Sequence, residues 1–200
     1  MEITSKMVKE LREMTSAGMM DCKRALHESN GDTQAAVKFL REKGLASAAK
    51  RADRAANQGR IFSYIHGNAR LGVLVELNCE TDFVANTDQF QALGRNLAMQ
   101  VAASSPLVVR REELSAEVIE REREIFMAQA RETGKPENVL DKIVEGKLEK
   151  FYHEVVLLEQ PFIKDETVTI EDLLKETIGT LGENMIIRRF ARFQLGEEVS

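Results

Sequence analysis

The spacing of apolar residues changes at Gly59, and this change divides the chain into a helical part and a part that contains strands. Before Gly59, apolar residues recur every three or four positions, which is the repeat of an amphipathic helix. After it, the runs GRIFSYIH and ARLGVLVELN alternate apolar and polar residues, which is typical of half-buried strands. The chain must therefore bury both helical and strand surfaces, and we expect an α+β fold.

Three short helices are predicted between Ile3 and Gly44. Their apolar positions are Val8, Leu11 and Met14, then Cys22, Ala25 and Leu26, then Ala36, Val37 and Leu40. Glycines mark the three helix ends, at Gly18, Gly31 and Gly44. Asp32 is the predicted N-cap of the third helix. Residues 1–45 are thus predicted to form a three-helix N-terminal module, and the Ala-rich, basic residues 46–58 a connecting helix.

Residues 59–200 are predicted to form the core domain. The tetrad HGNA between the two alternating runs predicts a β-hairpin, because Gly and Asn tolerate a positive φ. A helix follows TDFVAN, with Thr87 as its N-cap and an end before Pro106; its buried stripe is Phe90, Leu93, Leu97 and Val101. Residues 115–154 predict a long antiparallel helical hairpin, and MIIRRFARFQL a final strand that returns beside the β-hairpin.

The charge of the chain is unevenly distributed. The net charge is −5 over 200 residues, yet the first 60 residues carry 12 Lys and Arg against 8 Asp and Glu. This asymmetry indicates a polarised docking surface. Cys22 and Cys79 lie far apart, which favours neither a disulfide framework nor a zinc site, and we expect a cytoplasmic protein. No run of apolar residues is long enough for a membrane span, so no membrane partner is expected.

Catalytic chemistry has no visible apparatus in the sequence. The three histidines, His27, His66 and His153, fall in different predicted elements, and no hydrolase, P-loop or dinucleotide-binding motif occurs. We therefore predict neither an enzyme nor a cofactor or metal site. Four basic residues could contact phosphates: Lys50, Arg51, Arg54 and Arg60. No aromatic residues are interleaved with them, so direct nucleic-acid binding is not predicted.

The stretch TSAGMMDCKRAL contains a pair of neighbouring methionines that helical geometry cannot hide on one face. In one interpretation, either Met19 or Met20 fills the small core and the other shields it. In the other, the flexible thioethers suit a partner groove, and Lys23 adds a charged contact at its rim.

The stretch TDFVAN raises a similar question. In one interpretation, Thr81 or Asp82 caps a short turn and Phe83 packs against the core as a staple. In the other, Phe83 is an aromatic anchor for a partner, and the carboxylate of Asp82 is aimed at a cation. The residues alone do not decide between them.

Four stretches together resemble the elongation factor Ts family: ITSKMVKELREMTSAGMMDCKRAL, NCETDFVAN, TGKP and VEGKLEKFYHEVVLLEQPF. The resemblance runs from residue 2 to about residue 196. It implies that the N-terminal module is similar to a three-helix ubiquitin-associated-like domain, followed by a core with a small antiparallel sheet, helices and the long helical hairpin. It also implies a guanine-nucleotide exchange factor for elongation factor Tu.

The resemblance assigns roles to particular residues. The TDFV segment, Thr81, Asp82, Phe83 and Val84, matches the part of the family that reaches the GTPase domain of the partner, where the Phe inserts between helices and the magnesium site is disturbed. A second set matches the N-terminal contacts to the nucleotide domain: Arg12, Met19, Met20 and Lys23. His66 matches a core contact less closely.

The chain differs from longer members of the family in its number of core subdomains, and one alternative function stays open. Longer members of the family carry two core subdomains, whereas this chain has one sheet unit, so we expect a homodimer that supplies the missing surface. The alternative from the residues is a helical adapter that binds peptides or ubiquitin-like folds through its N-terminal module.

Overall fold

The computed structural model describes residues 3–15 and 17–197, and within them the chain forms eight α-helices and five β-strands. The helices are α1 (Ser5–Thr15), α2 (Met19–Glu28), α3 (Thr33–Ala49), α4 (Asp82–Ala85), α5 (Asp88–Ser104), α6 (Ala116–Glu132), α7 (Glu137–Val155) and α8 (Ile170–Leu181). The strands are β1 (Gln58–His66), β2 (Leu71–Cys79), β3 (Pro161–Phe162), β4 (Asp165–Thr169) and β5 (Met185–Gln194). This mixture confirms the predicted α+β class.

The first three helices enclose a small apolar core. Its fully buried members are Val8, Leu11, Cys22, Ala25, Leu26 and Ala36. Asp32 caps α3 as predicted, because its Oδ1 accepts the backbone N–H of Ala35 at 3.0 Å. The helical repeat read from the sequence thus identified all three helices and most of the residues that they bury.

The predicted end of the third helix at Gly44 is wrong, because α3 continues to Ala49. Gly44 instead lies where α3 meets α8, and Gly179 of α8 permits the close approach: a Cβ added to Gly179 would stand 2.6 Å from the Cα of Gly44, whereas one added to Gly44 would stand 3.9 Å from the Cα of Gly179. The connecting helix predicted over 46–58 is also absent, since turns follow Ala49 and β1 begins at Gln58. The proposed domain boundaries themselves stay a prediction.

Strands β1, β2 and β5 form an antiparallel sheet in the order β1-β2-β5. This order confirms the predicted hairpin and places the final strand at one edge of the sheet, beside β2. Helix α5 buries the predicted stripe of Phe90, Leu93, Leu97 and Val101. Phe62 of β1 packs over Gly94 of α5, where a Cβ would collide with its ring. The glycine therefore allows the ring to lie against the helix backbone.

Helices α6 and α7 form the predicted helical hairpin. Its narrow apolar seam contains Ala130, Leu140, Val144 and Leu148. At its base, the guanidinium of Arg111 donates to Glu159 and Glu149 and lies 4.2 Å from the ring centroid of Tyr152. The hydrogen bonds with Glu159 and then Glu149 raise the pKa of Arg111 above its ordinary value. This cluster connects the segment before α6 to α7 and to the turn after it.

The chain divides into two compact units that interleave in sequence. The first contains the described residues up to Arg60, with Asn78–Leu93 and Asp172–Ile186. The second contains Ile61–Leu77, Gly94–Glu171 and the described residues from Ile187 onward. The three-helix module and the TDFV segment thus belong to the first unit, and the helical hairpin belongs to the second.

The contact between α3 and α8 predicts different outcomes for two Gly-to-Ala substitutions. Gly179→Ala should lower the free energy of unfolding by about 1–3 kcal/mol, because the new Cβ meets backbone that cannot yield easily. Gly146→Ala, in α7 with nothing within 4 Å of the added Cβ, should raise it by up to about 1 kcal/mol. Urea unfolding followed by circular dichroism measures both. Equal stability of the two variants would contradict the close contact.

Candidate functional site

The TDFV segment follows β2 directly and begins a helix of only four residues. Thr81 is the N-cap of α4, and its Oγ1 accepts the backbone N–H of Val84 at 3.4 Å. At the other end, the side-chain amide of Asn86 donates to the carbonyl of Asp82 at 2.8 Å. The capping half of the first interpretation is therefore confirmed for Thr81, and the segment is an ordered turn of helix.

Phe83 projects from this helix into solvent. Its side chain is 82% exposed, more than any other large apolar side chain in the described part of the chain. The interpretation of Phe83 as a staple against the core is therefore wrong. Asp82 is exposed as well, whereas Ala85 on the opposite side of α4 is buried. The fold buries the small residue and leaves the large ring uncovered, which is the arrangement expected of an anchor.

The backbone of the segment is held from a distant part of the sequence. The carboxylate of Glu183 accepts the N–H of Thr81 at 3.0 Å through Oε2 and its hydroxyl at 2.6 Å through Oε1. The thiol of Cys79 donates to the carbonyl of Thr81 at 3.0 Å. Glu183 had no place in the sequence interpretation, and no local pattern marks a residue 102 positions away from its partner.

The environment of Cys79 keeps its thiol protonated. Burial, followed by the nearby carboxylate of Glu183, raises the pKa of Cys79 from 9.0 to about 11. Cys22 is also buried, and neither cysteine forms a disulfide. Cys79 thus acts as a hydrogen-bond donor beneath the segment, and its chemistry there is structural.

Both methionines of the AGMMDC stretch are exposed. Met19 is 58% exposed and Met20 is 70% exposed at the start of α2. The interpretation in which one of them fills the small core is wrong, because Cys22 and the alanine and leucine that follow it occupy that core. Lys23 is exposed on the same helix. Two flexible apolar side chains and a cation are therefore available to a partner.

Arg12 of α1 lines the same cleft as Gln89, which lies in the first turn of α5. It is exposed on α1 and lines an open cleft of about 320 Å³ with Lys9, Glu13 and Gln89. Gln89 comes four residues after the end of α4. Arg12, the exposed residues of α2 and the TDFV segment all belong to the first unit.

His66 belongs to the second unit, at the exposed end of β1. Its Nδ1 lies 2.9 Å from the hydroxyl of Tyr64. The ring has no partner in the described residues that would activate it as an acid or base. A contact between His66 and a partner protein stays a prediction.

Three of the four basic residues considered for phosphate contacts have protein partners. Arg51 donates to the carbonyl of Gly182 at 2.9 Å, Arg54 lies 3.5 Å from Glu80, and Arg60 contacts Asn86. Across the described ranges, no group of three or more His, Cys, Asp or Glu residues is arranged to hold a metal ion. Nor do those ranges contain a helix with the length and hydropathy that crossing a membrane requires.

Comparisons with known proteins agree on one family. The family profile described as Elongation factor TS matches residues 2–197. Elongation factor Ts of Carboxydothermus hydrogenoformans is 63% identical over 195 residues, which cover 98% of this chain and 90% of that protein. Elongation factor Ts of Geobacter sulfurreducens is 59% identical, covering 98% and 91%. Elongation factor Ts of a Thermoanaerobacter species is 58% identical, covering 98% and 97%.

The raised pKa of Cys79 predicts a stability that depends on pH. The unfolded thiol loses its proton near pH 9.0 and the folded thiol near pH 11, so the free energy of unfolding should fall between these values. Below pH 9 the contribution is fully present. Urea unfolding from pH 8 to 11 should give a smaller fall for Cys79→Ala than for the natural chain. Equal falls would mean that the thiol ionises as readily in the folded protein as in the unfolded one.

Proposed function

The chain belongs to the elongation factor TS family, whose members act in translation elongation, and on that basis we propose that it promotes GDP release from elongation factor Tu. One observation supports this activity most directly. The fold holds Phe83 82% exposed on a capped, hydrogen-bonded turn of helix, where the ring contributes nothing to the core. A chain that positions such a ring outside its own core presents it to a partner.

The proposed mechanism is mechanical displacement at the nucleotide site. Phe83 inserts between helices of the GTPase domain of elongation factor Tu, and the resulting shift disturbs the magnesium ion that neutralises the nucleotide phosphates. Factor and nucleotide then weaken each other's binding by the same free energy, because coupling between two sites is reciprocal. Asp82 is exposed beside Phe83, so its carboxylate is available to a cation of the partner.

The N-terminal module supplies the docking contacts in this proposal. Arg12, Met19, Met20 and Lys23 are all exposed on α1 and α2. The methionine side chains adapt to an apolar groove, and the two cations lie within the part of the chain that carries an excess of positive charge. His66 adds a contact from the core.

The proposed activity makes and breaks no covalent bond. The protein therefore acts as an exchange factor and not as an enzyme, and it uses no cofactor of its own. Its substrate is the complex of GDP with elongation factor Tu, which places its work in the cytoplasm. Nucleic acid is not a direct partner in this proposal, since Arg51, Arg54 and Arg60 contact groups of the chain itself.

Phe83→Ala tests the proposed function. Burying a Phe side chain contributes about 1.5–3 kcal/mol, so loss of the ring should slow GDP release from the partner at least roughly tenfold. Stopped-flow release of a fluorescent GDP measures the rate. The free energy of unfolding should change by less than about 0.5 kcal/mol, as for other exposed positions.

Leu107→Ala is the matched control, because it also truncates an exposed apolar side chain, 59% exposed after α5. It should leave GDP release unchanged. An unchanged rate of GDP release from elongation factor Tu in the presence of Phe83→Ala would contradict the insertion mechanism. A natural chain that does not accelerate GDP release at all would contradict the exchange function.

We further propose that the protein functions as a homodimer, which joins two molecules of the partner in a two-plus-two complex. Strand β5 lies at an edge of its sheet, so its free backbone groups can pair with a second copy. Two of the three arginines of β5 have acidic partners, since Arg189 lies 2.7 Å from Glu76 and Arg192 lies 3.0 Å from Glu197. Arg188 is exposed, and its charge opposes the pairing.

Light scattering at micromolar concentration tests the dimer. The free protein should have twice the mass of one chain, and its complex with nucleotide-free elongation factor Tu should contain two copies of each. A one-to-one complex with full exchange activity would contradict the dimer and leave the exchange function intact.

A further inference from the structure

The carboxylate of Glu183 makes two hydrogen bonds to one residue of the TDFV segment. Its Oε2 accepts the backbone N–H of Thr81 at 3.0 Å, and its Oε1 accepts the Thr81 hydroxyl at 2.6 Å. Hydrogen bonds to a charged acceptor are shorter and stronger than those between neutral groups. Glu183, in the turn before β5, therefore holds Thr81, the N-cap residue of α4.

This contact also sets the direction of the Thr81 hydroxyl. A carboxylate can only accept hydrogen bonds, so the Thr81 hydroxyl is the donor in its hydrogen bond with Glu183. Its lone pairs are then free to accept the N–H of Val84, which is the capping bond of α4. Four residues do not form a stable helix by themselves, because nucleation is unfavourable. The carboxylate therefore holds the residue that caps this short helix and leaves the hydroxyl oxygen available for the capping bond.

Glu183 is itself attached to well-fixed backbone. The next residue, Asn184, is only 3% exposed, and its N–H donates to Oε1 of Glu80 at 2.7 Å. The side-chain amide of Asn184 donates to the carbonyls of Ala52 at 3.2 Å and Arg54 at 2.7 Å. The carboxylate that reaches Thr81 thus extends from a turn anchored on two sides.

We propose that Glu183 is a positioning residue for nucleotide exchange: it fixes Thr81 and so presents Phe83 to the partner in one orientation. The inference rests on the proposed exchange function. A ring on an unfixed loop would have to be ordered during binding, and ordering opposes association. The two hydrogen bonds to Thr81 order the segment in the free protein, so the ring arrives ready to insert.

Glu183→Gln tests this role with little change of shape. The amide oxygen can still accept the N–H of Thr81, but the NH₂ group can only donate to the Thr81 hydroxyl, so the charge-assisted pair becomes a neutral pair with one bond reversed. The GDP-release rate at saturating factor should fall about tenfold, because charge-assisted hydrogen bonds are roughly twice as strong as neutral ones. The factor concentration needed for half-saturation should change much less, because the exposed residues of α1 and α2 are intact.

Glu113→Gln is the matched control for stability. Glu113 also accepts one backbone N–H, from Val109 at 2.9 Å, and one side-chain donor, from Arg110 at 3.2 Å. Both substitutions neutralise a carboxylate that accepts one backbone and one side-chain hydrogen bond, yet only Glu183→Gln should lower the limiting rate. If Glu183→Gln keeps the natural limiting rate, the positioning role is overturned.

Thr81→Val provides a second route to the same conclusion. It removes the hydroxyl and leaves Glu183 in place, so it should lower the limiting rate to a similar extent. The double variant should lose less than the two single losses combined, because both substitutions break one shared interaction. Fully additive losses would overturn the proposed link between Glu183 and Thr81.

A measurement on the free protein separates this inference from the exchange function. The chain contains no tryptophan, so Phe83→Trp creates a single fluorescent reporter at the ring position. Its fluorescence anisotropy should be lower when Glu183→Gln is added, since the segment moves more freely on the nanosecond timescale. Unchanged anisotropy would overturn the positioning role, whereas failure of the natural chain to accelerate GDP release from elongation factor Tu would overturn only the function on which that role rests.

Discussion

Two glutamates connect the end of β2, where the TDFV segment begins, to the start of β5. Glu80 accepts the N–H of Asn184, and Glu183 accepts the N–H of Thr81, so each carboxylate binds the backbone beside the other. Asn184 connects the same junction to the turn that follows α3. Buried or partly buried backbone groups that lack a strand partner would otherwise be unsatisfied. The position of α4 follows from these few polar contacts.

The first unit has a buried apolar core and also leaves several large apolar side chains exposed to solvent. Phe83, Met19 and Met20 are exposed, while inside the unit Gly44 of α3 lies against Gly179 of α8. Apolar surface that the fold does not bury gains free energy only when another molecule covers it. The unit thus separates the groups that maintain its structure from the groups that can bind a partner.

The sequence predicted what depends on neighbouring residues. The helical stripe of α5 and the caps at Asp32 and Thr81 follow from local spacing and local hydrogen bonds. Prediction from the sequence failed where a residue's partner lies far along the chain. Gly44 was interpreted as a helix end, because its contact with Gly179 in another helix cannot be inferred from neighbouring residues. Glu183 was missed because its partner is 102 positions away and an isolated glutamate has no distinguishing pattern.

This long separation has a consequence for the protein as it is synthesised. A ribosome that adds about 5–20 residues per second needs roughly 5 to 20 seconds to proceed from Thr81 to Glu183, which lie 102 positions apart. During that interval the TDFV segment has its local cap but not the carboxylate that binds Thr81. The N-terminal helices, whose contacts are close in sequence, can fold meanwhile. In a nascent chain the exposed residues of α1 and α2 are therefore placed early, whereas Glu183 can bind Thr81 only when β5 is being made.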